Sequence, residues 1–384
     1  MKSDWPLTRR AFLGRATLVG GSAFLAACQR PTAAPSSPAA PPQASPGTDR
    51  WEQLVGLARQ EGEVVVYAGA AFERNFPGVR VQTVAGQVGQ LLPRLMAERT
   101  AGRYMADVSL SLAGGPAFVS MKDAGVFAPL EPVLVLAEVL DKSAWLDNRL
   151  WWTDESEPKT TLRFQGSVQA VVSYNTRLID PTQFTSYWDF LDPRFRGQIV
   201  ATDVRNPGPG SLQSVFLYTN PQLGPAWLDR LFGDMAPVLS NDQRQMIDWV
   251  ATGQYPIGIM LNSRDVGNAI DTGLAIAIFP SERLKEGAPT GSGAGVVSLF
   301  DRAPHPNASA VFINWLLTRE GQGLWQRSLK VNSLRIDIPK DGIFEFDAPK
   351  PGVKYEDMGL ERYGRISQDD IRDFITASIQ RSGR

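Results

Sequence analysis

Cysteine and histidine are almost absent: 384 residues carry one of each, Cys28 and His305. No thiol follows Cys28, so disulfides and cysteine chemistry have no part in the body of the chain. A lone histidine without a cysteine or acidic motif beside it is a weak basis for metal or catalytic chemistry. An excess of charge is lacking too, since 39 Lys and Arg stand against 40 Asp and Glu. The basic residues are scattered, which leaves no electrostatic footprint for nucleic acid. No apolar run reaches the roughly 20 residues that a membrane-spanning helix takes. Nor is there a G-x-S-x-G elbow, and the glycine-rich Gly291-Ser292-Gly293-Ala294-Gly295 fits neither a dinucleotide fingerprint nor a phosphate loop. No repeat of about 20 to 50 residues marks a solenoid.

What is present starts at the amino end. An uncharged, Gly- and Ala-rich run of 12 residues, Ala16 to Ala27, follows Lys2, Arg9, Arg10 and Arg15. It is too short to span a bilayer and has the layout of an export signal. Thr8-Arg9-Arg10-Ala11-Phe12-Leu13 resembles the twin-arginine signal, and Leu25-Ala26-Ala27-Cys28 resembles the lipobox of bacterial lipoproteins. Residues 1–27 are therefore expected to be cut away and Cys28 to carry a diacylglycerol. A plain signal peptide that happens to contain a cysteine is the alternative. Residues 28–48, rich in Pro, Ala and Ser, cannot bury a core and read as an extended tether to the membrane.

From Asp49 onward the chain is long enough for two lobes. Asp49 or Thr48 can cap a helix with Trp51, Leu54, Val55 and Ala58 on one face, and Val64 to Tyr67 then reads as a buried strand. Further strands are expected at Val79 to Val84, Asp107 to Leu112, a long one at Ser167 to Tyr174, then Gln198 to Ala201, Pro256 to Leu261, Ile276 to Phe279 and Gly295 to Phe300. Helices fall between them, among them Ser211 to Thr219, one capped by Ser240 and stopped by Gly253, Ser263 to Thr272, Ser309 to Thr318 and a last one at Gln368 to Gln380. Ser186-Tyr187-Trp188-Asp189 resembles a capping box. Alternation of this kind implies α/β layering around a mostly parallel sheet, because parallel strands need crossover connections.

In an open α/β sheet, ligands bind beyond the carboxyl ends of strands, where helix N-termini also point. Gly208-Pro209-Gly210-Ser211 opens a helix whose free N–H groups suit a phosphate or carboxylate, or it is a turn with a serine cap. Asn262, Ser263 and Arg264 follow a strand and hold a cation able to pair with an anion in two-pronged fashion, or they cap a surface helix. Gly114 and Gly115 either let a backbone approach a ligand or form a tight turn. Trp151-Trp152 has the surface to stack on a ring, although such aromatics commonly pack. Glu155 and Glu157 read as solvated loop charges, and Tyr174-Asn175 as structural.

A series of phrases in order resembles the ABC-importer solute-binding proteins of the iron(III), thiamine and polyamine group. It includes Glu61-Gly62-Glu63-Val64-Val65-Val66-Tyr67, Phe76-Pro77-Gly78-Val79, Ala106-Asp107-Val108 and Tyr174-Asn175-Thr176-Arg177-Leu178. Phe190 through Gly197, Gly253-Gln254-Tyr255-Pro256-Ile257-Gly258, Ala303-Pro304-His305-Pro306-Asn307-Ala308 and Ser333-Leu334-Arg335-Ile336-Asp337 complete it. The resemblance implies a two-lobed periplasmic-binding-protein fold of type II, each lobe a mostly parallel sheet flanked by helices. It places residues 49–166 and 285–330 in one lobe, 167–284 and 331–384 in the other. It further implies a monomer that closes on a small solute, hands it to an inner-membrane permease, and uses no cofactor.

Two departures from the family pattern bear on the site. Only Ala68 to Phe76 connects the first strand to Pro77, where relatives carry a full helix, so the wall expected from Ala68 and Gly69 offers backbone groups and no hydroxyl. Ferric-binding relatives have neighbouring tyrosines where this chain has Asn262-Ser263-Arg264-Asp265. A neutral amide, a hydroxyl and a cation are poor ligands for a hard ferric ion, which ranks iron below a polar or anionic organic solute. A ligand sensor that no longer transports fits the same residues. A secreted hydrolase would need a paired acid–base or nucleophilic constellation, and one histidine with no elbow supplies none.

Overall fold

The computed structural model describes residues 46–68, 78–86, 88–111, 115–206, 208, 210–293, 295–350 and 352–383. The export signal, Cys28, Gly69 and Gly114 lie outside the described residues. Helix α1 (Pro46–Glu61) begins within the segment read as a tether, with proline in the first turn, where its missing N–H costs no helical bond. Gly62, at φ 77°, turns the chain into β1 (Glu63–Ala68). Then come β2 (Arg80–Ala85), α2 (Val88–Thr100), β3 (Val108–Leu110), α3 (Gly115–Asp123), a short α4 (Ala137–Leu140), β4 (Trp151–Trp152) and β5 (Thr161–Arg163).

The chain next passes through β6 (Ser167–Val168) into β7 (Val172–Asn175), β8 (Ile199–Thr202), α5 (Ser211–Thr219), α6 (Gly224–Asp229), β9 (Val238–Ser240), α7 (Gln243–Thr252) and β10 (Ile257–Ile259). It continues with α8 (Ser263–Asp271), β11 (Ile276–Ile278), β12 (Ala288–Gly291), β13 (Val296–Leu299), α9 (Pro306–Leu317) and α10 (Arg319–Leu329). Last are β14 (Tyr355–Asp357), α11 (Glu361–Gly364) and α12 (Gln368–Arg381).

Three sheets result, in the strand orders β2-β1-β3-β13-β5-β4, β11-β7-β10-β8-β9 and β14-β12-β6. The first two are the sheets of two lobes. The third lies where the chain crosses between them, along β5-β6-β7 and β11-β12-β13. Neither large sheet is mostly parallel. β1 with β2 and β3, and β8 with β9 and β10, are parallel, but β13, β5 and β4 in one lobe and β7 and β11 in the other pair antiparallel. Two of these strands, β7 and β13, enter their sheet from the crossing and not from a crossover helix, so no rule of parallel connection governs them.

The expected strand from Ser167 to Tyr174 is two strands in two different sheets, broken at residues 169–171 by the crossing itself. The cap of α7 is Asp242, whose side chain accepts from the Gln245 N–H, while Ser240 ends β9. Gly253 stops that helix at φ 84°, and the capping box at Ser186 and Asp189 is present.

The apolar core of the first lobe contains Val64, Val66, Leu162, Phe164, Val297, Phe312 and Trp325, joined by Val331 and Leu334. That of the second contains Val172, Ile199, Phe216, Trp227 and Ile257, closed by Ile371, Ile375 and Ile379 of α12. Side chains of this size stabilise by about 1.5–3 kcal/mol each when fully buried. Among the described residues no helix is long and apolar enough to cross a membrane.

The phrases that carry the family resemblance mostly brace this frame. Glu61 accepts from the Ala308 N–H (2.7 Å) and the Asn307 amide (2.6 Å), capping α9. Asp107, fully buried, accepts from the N–H groups of Val65 (2.7 Å) and His305 (2.7 Å) and lies 2.8 Å from His305 Nδ1. The one histidine therefore ties β1 to the entry of α9. Asn175 donates to the carbonyls of Val250 (2.8 Å) and Ala251 (3.0 Å), and buried Arg335 pairs with Asp337 (2.7 Å).

Candidate functional site

A cavity of about 470 Å³ lies at the crossing between the lobes. The start of α5, the start of α8, the end of α10 and the crossing segment at 165–169 surround it. Of the residues singled out in the sequence, Gly210, Ser211, Asn262, Ser263 and Arg264 line it together.

Two backbone positions shape the strand ends that carry them. Gly210 has φ 85°, and a Cβ there would sit 2.9 Å from Val204 Cγ1, so only glycine fits the turn that opens α5. Met260, the residue after β10, is buried with φ 60°; its N–H donates to the Val171 carbonyl (2.7 Å) and its carbonyl accepts from Thr202 Oγ1 (2.6 Å). A left-handed methionine costs about 1–3 kcal/mol and persists only where its surroundings hold it, as these two bonds do.

The roles of the five residues divide. No side chain caps α5, whose first residue lines the cavity; the Ser211 N–H (3.4 Å) and hydroxyl (2.8 Å) both donate to the Gly208 carbonyl, and the hydroxyl lone pairs are left to accept. The Asn262 side chain is occupied as the cap of α8, accepting from the N–H groups of Arg264 (3.0 Å) and Asp265 (3.2 Å). Ser263 Oγ accepts from the Ala170 N–H (3.0 Å) and pins α8 to the crossing. Exposed Arg264 donates from Nη1 to the carbonyl of Leu329 (3.0 Å), the last residue of α10. That bond joins the second lobe to the first across the cavity.

Gln165, Gln169 and Asp347 are among the lining residues that the sequence did not mark. Gln165 is buried and accepts at Oε1 from Trp325 Nε1 (3.4 Å). Gln169 sits in the break between β6 and β7. Asp347 comes from the segment between α10 and β14, where its carbonyl accepts from the Val168 N–H (2.9 Å). Burial pushes the Asp347 carboxyl up to about 6, against the opposing pull of Arg264 and a hydrogen bond from Ser167. The glycine-rich stretch at 291–295 gave a signal that motif matching could not use. A Cβ at Gly295 would lie 2.0 Å from Gln165 Cβ, and one at Gly293 would lie 2.4 Å from Gln165 Nε2, so these glycines admit the Gln165 side chain.

Of the other candidates, Ala68 ends β1 and pairs with Ala85 and Leu110, while Gly69 and Gly114 lie outside the described residues. Gly115 starts α3, and α11 packs on it so closely that a Cβ at Gly364 would meet the Gly115 carbonyl at 2.5 Å. Trp151 carries the Arg149 guanidinium 3.7 Å above its ring. Among the described residues no three His, Cys, Asp or Glu side chains converge to hold a metal ion.

Two α/β lobes joined by paired crossings, with helix starts from one lobe turned toward a cavity at the junction, are the architecture of a type II periplasmic binding protein. Residues 58–323 match the bacterial extracellular solute-binding proteins, and the chain belongs to that family. It is 24% identical to iron uptake protein A1 of Synechocystis over 328 residues, 82% of this chain and 84% of that protein. Its fold is similar to that of Trichodesmium FutA in complex with iron and citrate ligands, at TM-score 0.58 and 16% identity, covering 84% of this chain and 99% of that one. It is similar also to AfuA of Actinobacillus pleuropneumoniae with fructose-6-phosphate bound, at TM-score 0.55 and 15% identity, over 84% and 99% of the two chains.

Proposed function

We propose that this protein is the capture component of an ABC importer, anchored by lipid at Cys28 after twin-arginine export, monomeric, and without enzymatic activity of its own. It closes its lobes on a small anionic or polar organic solute and passes the solute to an inner-membrane permease. The observation that carries the choice of solute is the cavity at the crossing, where the uncapped start of α5, Ser211 and Arg264 converge. Helix N–H groups and a guanidinium favour an anion. The phosphorylated sugar in AfuA supports a solute of this kind.

Iron in an organic complex is the second reading. The names of the Synechocystis relative and of the Trichodesmium complex with iron and citrate favour it, and citrate is itself an anion that Arg264 and α5 would accept. Bare ferric ion is disfavoured by a donor set of amides, hydroxyls and one carboxylate. A sensor that presents its ligand to another receptor shares the same binding step and is separated from an importer by uptake assays in cells lacking this protein.

Thermal shift against phosphorylated and carboxylated metabolites, polyamines, thiamine, ferric citrate and ferric ion tests the reading. A ligand at 100 times its Kd adds about 2.7 kcal/mol to native stability and moves Tm by several degrees. A shift with an anion that R264Q abolishes is the expected result. A shift with ferric ion alone would overturn the choice of solute.

A further inference from the structure

The charges on the cavity wall say more about the solute than that it is anionic. Arg264 and Asp347 border the same cavity, yet they form no ion pair. Arg264 spends its guanidinium contact on the Leu329 carbonyl (3.0 Å), and Asp347 is fixed from the other side by its backbone bonds to Val168 (2.9 Å) and Phe344 (2.9 Å). Among the described residues, the remaining polar side chains on the wall are serine hydroxyls and the amides of asparagine and glutamine, all neutral. Positive charge is thus concentrated at Arg264 and the α5 start, and negative charge at Asp347.

Exposed Arg264 and half-buried Asp347 line one cavity without neutralising each other in an ion pair, and a ligand of matching polarity complements both charges. A simple anion would satisfy Arg264 and be repelled by Asp347. A simple cation would have the reverse fate. We propose that the solute is zwitterionic, an anionic group seated between α5 and Arg264 and a cationic nitrogen facing Asp347. The inference rests on the reading that this cavity is the solute site.

The segment that supplies Asp347 is built for this placement. Lys340 donates to the carbonyls of Ser333 (2.6 Å) and Arg335 (2.8 Å), holding its start to the first lobe. Phe344 packs on α8 so tightly that a Cβ at Gly267 would lie 2.8 Å from its ring. Asp347 is therefore fixed opposite the helix that carries Arg264, and not merely near it.

O-phosphoethanolamine and ethyl phosphate differ only by the ammonium group and serve as the probe pair, with ferric citrate alongside, in calorimetric titrations of the purified protein. The expected result is at least tenfold tighter binding of O-phosphoethanolamine by the native protein, and loss of that preference in D347N with ethyl phosphate affinity kept or improved. Equal binding of the two phosphates, or a preference that survives D347N, overturns this inference and leaves the anionic site standing. Binding of ferric citrate with neither phosphate overturns this inference and selects the iron-complex reading of the same cavity. The native comparison stands by itself should D347N fail to fold.

Discussion

At the scale of single residues, Asp347 ties the stability of the fold to pH. With its folded pKa raised to about 6, above the ordinary carboxylate value of about 3.9, the half-buried Asp347 carboxyl holds its proton longer in the native state than in the unfolded one. The stability this proton provides is complete below about pH 4 and is lost as pH rises through about 6. Above that, the native fold carries a partly desolvated carboxylate and is weakened by up to about 3 kcal/mol. D347N removes the titration. Its stability advantage over the native protein, followed by urea denaturation in the absence of ligand, should therefore grow between pH 4 and pH 7 and then level off. Gly210 gives the opposite case, a residue where any side chain costs. G210A meets both a left-handed φ and Val204 Cγ1 at 2.9 Å, so the urea midpoint should fall by the equivalent of about 2 kcal/mol with the slope unchanged.

At the scale of elements, two helices open on the cavity and differ in how they start. α8 is fully capped by Asn262, and that cap also orients Arg264, one residue into the first turn. α5 begins uncapped, and its serine faces back to Gly208. N262A should cost about 1 kcal/mol of stability and weaken solute binding together, because the cap and the arginine share one turn. S211A should leave thermal stability nearly unchanged and weaken solute binding alone, since its hydroxyl bonds only a carbonyl at the helix start. Differential scanning fluorimetry with and without solute separates the two outcomes. The acidic pair Asp154 and Glu361 shows an element docking through charge instead: Lys122 on α3 reaches both, at 3.1 and 2.6 Å, and so draws α11 onto the first lobe.

At the scale of the whole molecule, the final segment belongs to both lobes. α11 docks on α3, α12 completes the second core, and β14 pairs with β12 at the crossing. The three-stranded sheet spans the crossing between the lobes, and the Arg264 bond to Leu329 joins the lobes across the cavity. A solute that binds the closed form more tightly drives closure by that difference in affinity. Small-angle scattering should show the radius of gyration fall when a solute identified by thermal shift is added. An unchanged profile at saturating solute would rule out hinge closure.

Sequence alone determined the local and periodic features. The span of α5, the stop at Gly253, the Ser186 capping box and the strands near β8, β10, β11 and β13 follow from side-chain period, caps and glycine conformation, which act over a few residues. The strand-end logic also picked out Gly210, Ser211, Asn262, Ser263 and Arg264, because helix starts beyond strands carry their own sequence marks. Tertiary structure decided what depends on distant chain. It split the strand at residues 169–171 between two sheets, since a crossing between lobes has the same alternating pattern as a continuous strand. It left Gly115 beneath α11, and it brought Gln165, Gln169 and Asp347 to the cavity from segments with no local signature of binding. Whether a carboxylate faces an arginine is a matter of how the lobes and the final segment pack, and no short stretch of sequence encodes that meeting.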